Sequence, residues 1–424
     1  MTLLIKNAIV VDPASKTVVD ADVLIDGETI KEISKNITKD AERVIDAKGS
    51  YLMPGFIDLH VHLRDPGLEY KETIETGSKA AAAGGYTTIL AMPNTKPVAD
   101  QVDVVKYVNN KAKALSPIRV LQIGAVTKGQ KGEKLADIEG MVKEGAPAIS
   151  EDGKSVMNSG LYYEGMLEAK RMGIPVFAHC EDINLVRGGV VHEGKQSQKL
   201  GLAGITGSVE DVIAARDMIM AAEIGVRLHL CHVSTALSVD MLAWAKARGA
   251  QVTGEVCPHH FALCEDDIPA DDARYKMNPP LRSKEDQKAL IKGIADGTIE
   301  VIATDHAPHS VDEKNASMKK APFGIVGLET AAALTYTKLV KENVIDICQM
   351  AEKMSLNPAK IIGLDRGSVQ EGKIADLVLF NPKENWTVDS NEFYSKGRNT
   401  PFDGETLYGR VKATIFNGEV VFEQ

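Results

Sequence analysis

Apolar runs of five to nine residues recur through the middle of the chain, at 56–63, 86–92, 118–126, 146–150, 174–178, 226–233, 251–256 and 299–304. They lack the strict apolar–polar alternation of a half-exposed strand, so each predicts a strand buried on both faces. Between most of them lie stretches of helical period, such as KETIETGSKAAAAGG, SVEDVIAARDMIMAAEIG and STALSVDMLAWAKARGA. Gly84-Gly85, Gly173, Gly225 and Gly249 stand where those helices should stop. Strand and helix alternating eight times predict an α/β fold, a (β/α)8 TIM-type barrel. A doubly wound sheet gives a similar alternation, and the placement of polar residues has to separate the two.

The chain ends have another texture. LLIKNAIVV, ADVLIDGETIKEIS and ERVIDAKGSYLM are strand-length pieces parted by turn residues. GKIADLVLF, ENWTV and GRVKATIFNGEVVF repeat that texture at the far end, the last with an Asn417-Gly418 hairpin signal. Both ends together predict a small β-sandwich domain of residues 1–53 and 366–424, leaving 54–365 as the barrel.

Polar residues cluster where the central runs end. His60 and His62 end the first, Asn94 the second, Asp152 the fourth, His179 the fifth, His232 the sixth and Asp305 the eighth. In a barrel those ends converge on one face, where chemistry is done. This favours the barrel. Two histidines two apart on a strand point to the same side, and neutral imidazole is a ready ligand for zinc and similar ions. H-x-H alone is a weak signal. With two aspartates and two further histidines at other strand ends, burying the group without a cation would be costly. Six candidates suit a binuclear site: His60, His62 and Asp305 on one ion, His179 and His232 on the other, Asp152 between. A mononuclear site is the alternative.

Parity sorts the other histidines. His229 and His232 are three apart, so only one lines the barrel; His232, nearer the strand end, is the ligand and His229 is packed or hydrogen-bonded. Cys180 turns away from the site beside His179. His306 supports Asp305, His259 and His260 support the site after the seventh strand, and His192, in a glycine-rich segment, reads as a solvated loop residue.

The chain has 424 residues, 44% of them hydrophobic and 25% charged, which is enough for a sizeable core. Its net charge of −10 argues against a nucleic-acid partner. No apolar run is long enough to span a bilayer, and Lys6 and Asn7 interrupt any leader-like start. The expectation is a cytoplasmic protein with a small-molecule substrate. Five cysteines with no C-x-x-C pair read as buried thiols in a reduced compartment.

Taken together, PGFIDLHVHLRDPG (54–67), AMPNT (91–95), AISEDGK (148–154), FAHCED (177–182), LCHVST (230–235), MNPPLR (277–282) and ATDHAPH (303–309) resemble the amidohydrolase superfamily. Within it they resemble class I dihydroorotases of the stand-alone bacterial type, over essentially the whole chain. The resemblance implies reversible closure of N-carbamoyl-L-aspartate to L-dihydroorotate in pyrimidine synthesis, with two zinc ions per chain on His60, His62, Asp152, His179, His232 and Asp305. Asp305 also serves as general acid and base. His62, Arg64, Asn94, Asn278, His309, Phe323 and Gly324 hold the substrate, Arg64 taking its carboxylate. Many relatives bridge their metals with a carboxylated lysine; Asp152 stands at that strand end here, and Lys154 keeps the lysine alternative open. Asp65 and Cys257 depart from the family's usual Glu and Thr. The resemblance also implies a homodimer and allows association with aspartate transcarbamoylase. Residues 309–324, polar, lysine-bearing and aperiodic, read as a mobile loop over the site, with an inert surface loop as the alternative. Other cyclic amidohydrolases, such as dihydropyrimidinase or allantoinase, and a non-catalytic scaffold are the competing readings.

Overall fold

The computed structural model describes residues 2–424. Eight parallel strands follow one another in sequence order around the barrel. Phe56–Val61 pairs with Tyr86–Ala91, which pairs with Arg119–Gln122. The third run breaks at Ile123 and continues as Gly124–Ala125, now paired with Ile149–Ser150. Val176–Ala178, Leu228–Leu230, Val252–Val256 and Val301–Ile302 complete the circuit. Nearly every residue of these strands is buried, as unbroken apolar runs require.

Closure falls between the last strand and the first. Val61 and His306 form a parallel bridge, and the His62 amide donates to the His306 carbonyl at 2.8 Å. The Asp58 carboxylate accepts from the amides of His60 (3.0 Å) and Thr304 (3.1 Å). Burial pushes its pKa up to about 7 despite those bonds.

The helices start and stop where local chemistry dictates. Thr73 caps Ile74–Ala83 by accepting from the Thr76 amide, and Thr235 caps Ala236–Ala247 by accepting from that of Ser238. Ser159–Met172 and Ser208–Ile224 end at Gly173 and Gly225, with φ of +71° and +73°. Glycine enters that left-handed region without the cost of a Cβ. Among the described residues no helix is long and apolar enough to cross a membrane.

Both chain ends build one bent sheet of eight strands. Thr2–Asp12 pairs with Thr17–Asp26 along one side and with both Arg43–Asp46 and Tyr51–Pro54 along the other. Tyr51–Pro54 then pairs antiparallel with Leu377–Thr387, joining the N-terminal strands to the C-terminal ones. The sheet closes over Leu3, Ile5, Val23, Ile25, Leu377 and Ile415, all fully buried. This is the β-sandwich that accompanies the barrel. Asn417 and Gly418 take φ of +48° and +79° between Thr406–Phe416 and Glu419–Glu423, the geometry of a tight hairpin turn. LVLF and ENWT, read as two strands, are one, Leu377–Thr387, with irregular pairing between Asn381 and Asn385.

Asp376 pins sheet to barrel. Its carboxylate meets Arg366 Nε at 2.7 Å and Arg119 Nη1, from the third barrel strand, at 3.3 Å, and accepts from the Asn417 amide at 2.8 Å. Asp376→Ala strands two half-buried guanidinium groups and is expected to cost about 3 kcal/mol. The check is the urea midpoint; an unchanged midpoint would show that the junction does not depend on this carboxylate.

Candidate metal centre and substrate pocket

Six side chains from five strand ends meet at one mouth of the barrel: His60, His62, Asp152, His179, His232 and Asp305. Asp152 lies in the middle. Its Oδ1 is 3.2 Å from His60 Nε2, 3.4 Å from His179 Nδ1 and 3.8 Å from His232 Nε2; its Oδ2 is 3.4 Å from His62 Nε2. Asp305 Oδ1 sits 3.0 Å from His62 Nε2 and 3.5 Å from His60 Nε2. His179 Nδ1 and His232 Nε2 are 2.8 Å apart.

The ring protons point outward. His60 Nδ1 meets Glu255 Oε1 at 2.7 Å, His62 Nδ1 meets Asn94 Oδ1 at 2.9 Å, and His179 Nε2 meets Glu181 Oε2 at 3.3 Å. Each partner accepts, so each takes the N–H of its ring and fixes the tautomer. The other nitrogen of each ring then turns a lone pair toward Asp152 or Asp305, acceptor against acceptor. His60 Nε2 and Asp152 Oδ1 are buried with no hydrogen-bond partner. A cation among them satisfies both sides, and an N/O donor set of this kind suits a divalent ion. His60, His62 and Asp305 form one group of convergent ligand atoms; His60, Asp152 and His232 form another.

Electrostatics agree. Burial would raise the carboxyl of Asp152, but the positive charge attributed to His60 beside it holds it well below the usual range. Asp305 is lowered in the same way by His60 and His62 against its burial. Burial disfavours a charged His179, yet Asp152 and Glu181 outweigh it and push the ring up to about 10. The cluster calls for positive charge.

Backbone geometry aims these groups. His232, Asp305 and Arg64 all take positive φ, +34°, +48° and +60°. Such values are rare outside glycine and gather at functional sites. Strand alternation does not carry through a left-handed residue. His229 accordingly stands behind the site even though His232 lines it: its Nε2 lies 3.0 Å from Glu255 Oε2, on the carboxylate that also holds His60. Arg64 likewise owes its direction to its own φ and not to parity with His62.

Above the cluster opens a cavity of about 320 Å³, lined by Arg64, Asn94, Asn278, His309, Phe323 and Gly324 along with all the clustered groups except His60, which lies beneath. Arg64 is buried; its Nε donates to the Pro308 carbonyl at 3.3 Å, and its Nη2 is 3.5 Å from His309 Nε2. Asn94 spends its carbonyl on His62, and Asn278 donates to Glu181 Oε1 at 3.0 Å. Gly324 has φ +133°, and a Cβ there would fall 2.7 Å from Ala307. The backbone groups of Phe323 and Gly324, expected to be free for substrate, are largely committed: His309 Nε2 donates to the Phe323 carbonyl (2.7 Å), and the Gly324 amide donates to Lys276 (3.0 Å).

Two expectations, those for His192 and Lys154, need correcting. Residues 309–324 border the cavity and make contacts of their own. Lys314 turns inward and donates to the carbonyls of Gly324, Pro322 and Lys276, while Glu313 meets Lys71 at 2.9 Å. Of the three lysines that suggested a solvated loop, Lys314 is an anchor, while Lys319 and Lys320 are exposed. His192 is half-buried on the short strand Val191–His192, and burial with the nearby Arg282 pushes it down to about 4. Lys154 donates to the Gln130 carbonyl at 3.0 Å and so takes no part in the cluster. Sequence reasoning missed Glu255, Glu181 and Lys71. Glu255 carried a usable signal, a lone carboxylate inside the apolar run VTGEV.

A closed parallel barrel with H-x-H on its first strand, histidines after the fifth and sixth, and aspartate after the eighth defines an amidohydrolase-type hydrolase. The solved structure of L-hydantoinase (dihydropyrimidinase) from Arthrobacter aurescens matches with a TM-score of 0.90 at 27% identity, over 99% of this chain and 96% of that one. D-hydantoinase (dihydropyrimidinase) from Thermus sp. matches at 0.82 and 29%, over 99% and 94%. A family model described as dihydro-orotase-like matches residues 49–238. The dihydroorotase of Bacillus pumilus (strain SAFR-032) is 47% identical over 100% of this chain and 99% of its own. That of Clostridioides difficile (strain 630) is 48% identical over 99% of both chains. The chain belongs to the dihydroorotase family.

Glu255→Gln removes the carboxylate behind His60 and is expected to weaken divalent-ion affinity roughly 10- to 100-fold. Competition against a chelator of known affinity reads this directly. Undiminished affinity would mean that Glu255 does not set the orientation of His60.

Proposed function

We propose that the chain is a dihydroorotase, interconverting N-carbamoyl-L-aspartate and L-dihydroorotate plus water, and that His60, His62, Asp152, His179, His232 and Asp305 would hold two zinc ions per chain. We take residues 54–365 as the catalytic unit, supported by 1–53 and 366–424, in a cytoplasmic homodimer able to associate with aspartate transcarbamoylase. A buried guanidinium, that of Arg64, facing the same cavity as the His/Asp cluster carries the substrate reading. Dihydroorotate differs from dihydrouracil by one carboxylate, and a guanidinium holds that group through two parallel hydrogen bonds.

A divalent ion bound at the cluster supplies positive charge that acidifies water and polarises the scissile amide carbonyl. The chain does the rest. Arg64, aided by Asn94, Asn278 and His309, sets the ring so that its amide carbonyl meets the cluster. In ring opening, Asp305 takes the proton of the attacking water and hands it to the departing amide nitrogen. In ring closure it accepts the proton from that nitrogen as the C–N bond forms and returns it to the carboxylate oxygen, which leaves as water with a second proton from solvent. His62, held by Asn94 on one side and beside Asp305 on the other, keeps the Asp305 carboxylate in reach of both positions.

The hydantoinase likeness in fold favours a second reading, a hydrolase of neutral cyclic amides. Turnover of L-dihydroorotate, N-carbamoyl-L-aspartate, dihydrouracil and allantoin by the zinc-supplied protein separates them. We expect conversion of the first pair only. Arg64→Ala should lower kcat/KM for dihydroorotate by at least about 100-fold, the worth of a charge-assisted bidentate pair, with metal content unchanged; unaltered kinetics would refute the anchor. Asp305→Asn should cut kcat by roughly 100- to 10,000-fold in a protein whose circular dichroism is unchanged. Near-normal turnover would remove Asp305 as the proton carrier.

A further inference from the structure

Lys71 lies on the turn between the first barrel strand and the helix Ile74–Ala83, and it does not itself line the cavity. That turn hangs from Arg64. The Leu68 amide donates to the Arg64 carbonyl at 2.9 Å, and the Lys71 amide donates to that of Leu68 at 2.9 Å. The turn delivers the ammonium to His309, where Nζ donates to Nδ1 at 3.1 Å and pairs with Glu313 Oε1 at 2.9 Å.

These contacts fix where the ring carries its proton. A carbonyl only accepts, so the 2.7 Å contact to Phe323 puts a proton on His309 Nε2. An ammonium only donates, so the contact from Lys71 requires a lone pair on Nδ1. The other neutral tautomer would set donor against donor at Lys71 and acceptor against acceptor at Phe323. A doubly protonated ring is disfavoured as well: burial, with Arg64, Lys71 and Lys314 close by, pushes His309 down to about 2. Glu313 pulls the opposite way. Its Oε2 lies 3.7 Å from Nδ1, while Lys71 occupies its other oxygen.

We propose that Lys71 is a positioning residue that keeps the proton of neutral His309 on Nε2, so that His309 and Arg64 together offer two donors to one substrate carboxylate. The inference rests on the carboxylate-anchor reading above and deepens it. Arg64 Nη2 and His309 Nε2 are 3.5 Å apart, and both residues line the cavity. Two N–H groups have nothing to give each other, but a carboxylate only accepts and has two oxygens, so it satisfies both. The Phe323 carbonyl can share the ring N–H with it in a three-centre bond. With the proton on Nδ1, Nε2 would instead turn a lone pair on the carboxylate.

Histidine-selective 15N labelling of the zinc-supplied protein, with His309→Asn to identify the resonances, should show a protonated Nε2 and a bare Nδ1 at His309 from about pH 5 to 8. Lys71→Met leaves Glu313 free to draw a proton onto Nδ1. At low pH the imidazolium of that variant keeps both protons; once it loses one, the other stays on Nδ1 and Nε2 is bare. The ratio of its KM for L-dihydroorotate to that of the wild type should therefore climb roughly tenfold as pH rises through about 6 to 8, with kcat nearly unchanged. Adding Glu313→Gln removes the pull, supplies an amide N–H for Nδ1 and should recover most of the loss. A wild-type proton on Nδ1 overturns the assignment, and so does a Lys71→Met protein with wild-type KM at every pH. A wild-type chain that binds metal and holds the Nε2 proton yet turns over no dihydroorotate overturns the proposed reaction and leaves the tautomer assignment standing.

Discussion

The site is organised by protons that point the wrong way for a metal-free protein. Glu255, Asn94 and Glu181 take the outward N–H groups of His60, His62 and His179, which commits the inward nitrogens to lone pairs. Those lone pairs face two ionised carboxylates in a buried setting. A cluster of this composition is stable only around positive charge. The rest follows from that constraint: five strand ends must converge, two of the contributing residues, His232 and Asp305, adopt left-handed backbone, and Glu255 must sit in the barrel where an apolar residue would otherwise pack.

Recognition and catalysis are built on different kinds of scaffold. The ligand cluster stands on strand ends tied together by Asp58 and by the Val61–His306 bridge. The cavity-lining residues Arg64, His309, Phe323 and Gly324 come from loops that hold one another, through His309 to Phe323 and through Lys314 to Gly324. Loops of this sort can change specificity while the cluster beneath stays fixed. The fold shared with hydantoinases at 27–29% identity fits that division of labour.

Much of this was legible in the chain itself. Unbroken apolar runs announced buried parallel strands, and polar residues at their ends announced the mouth of a barrel. Parity worked for His60 and His62 because the first is within the strand and the second immediately beyond it. It does not reach Arg64 and His232, whose positive φ no alternation rule contains. The partners that orient the ligands were harder to see. Glu181 and Lys71 lie in irregular segments, where no period relates sequence to direction, and Lys314 looked solvated because the three backbone carbonyls around its ammonium cannot be read from composition.

His62 and Asp305 touch across 243 residues of chain, and the contact that seals the barrel lies between the same two strands. A chain that has made its first five or six βα units therefore holds ligands but no site. Only closure brings the eighth strand's aspartate to the first strand's histidines and completes the group His60, His62 and Asp305. Ion binding then weights the native state against every open form by mass action. The centre that serves catalysis also acts as a latch, one that engages after the whole circle of strands is in place.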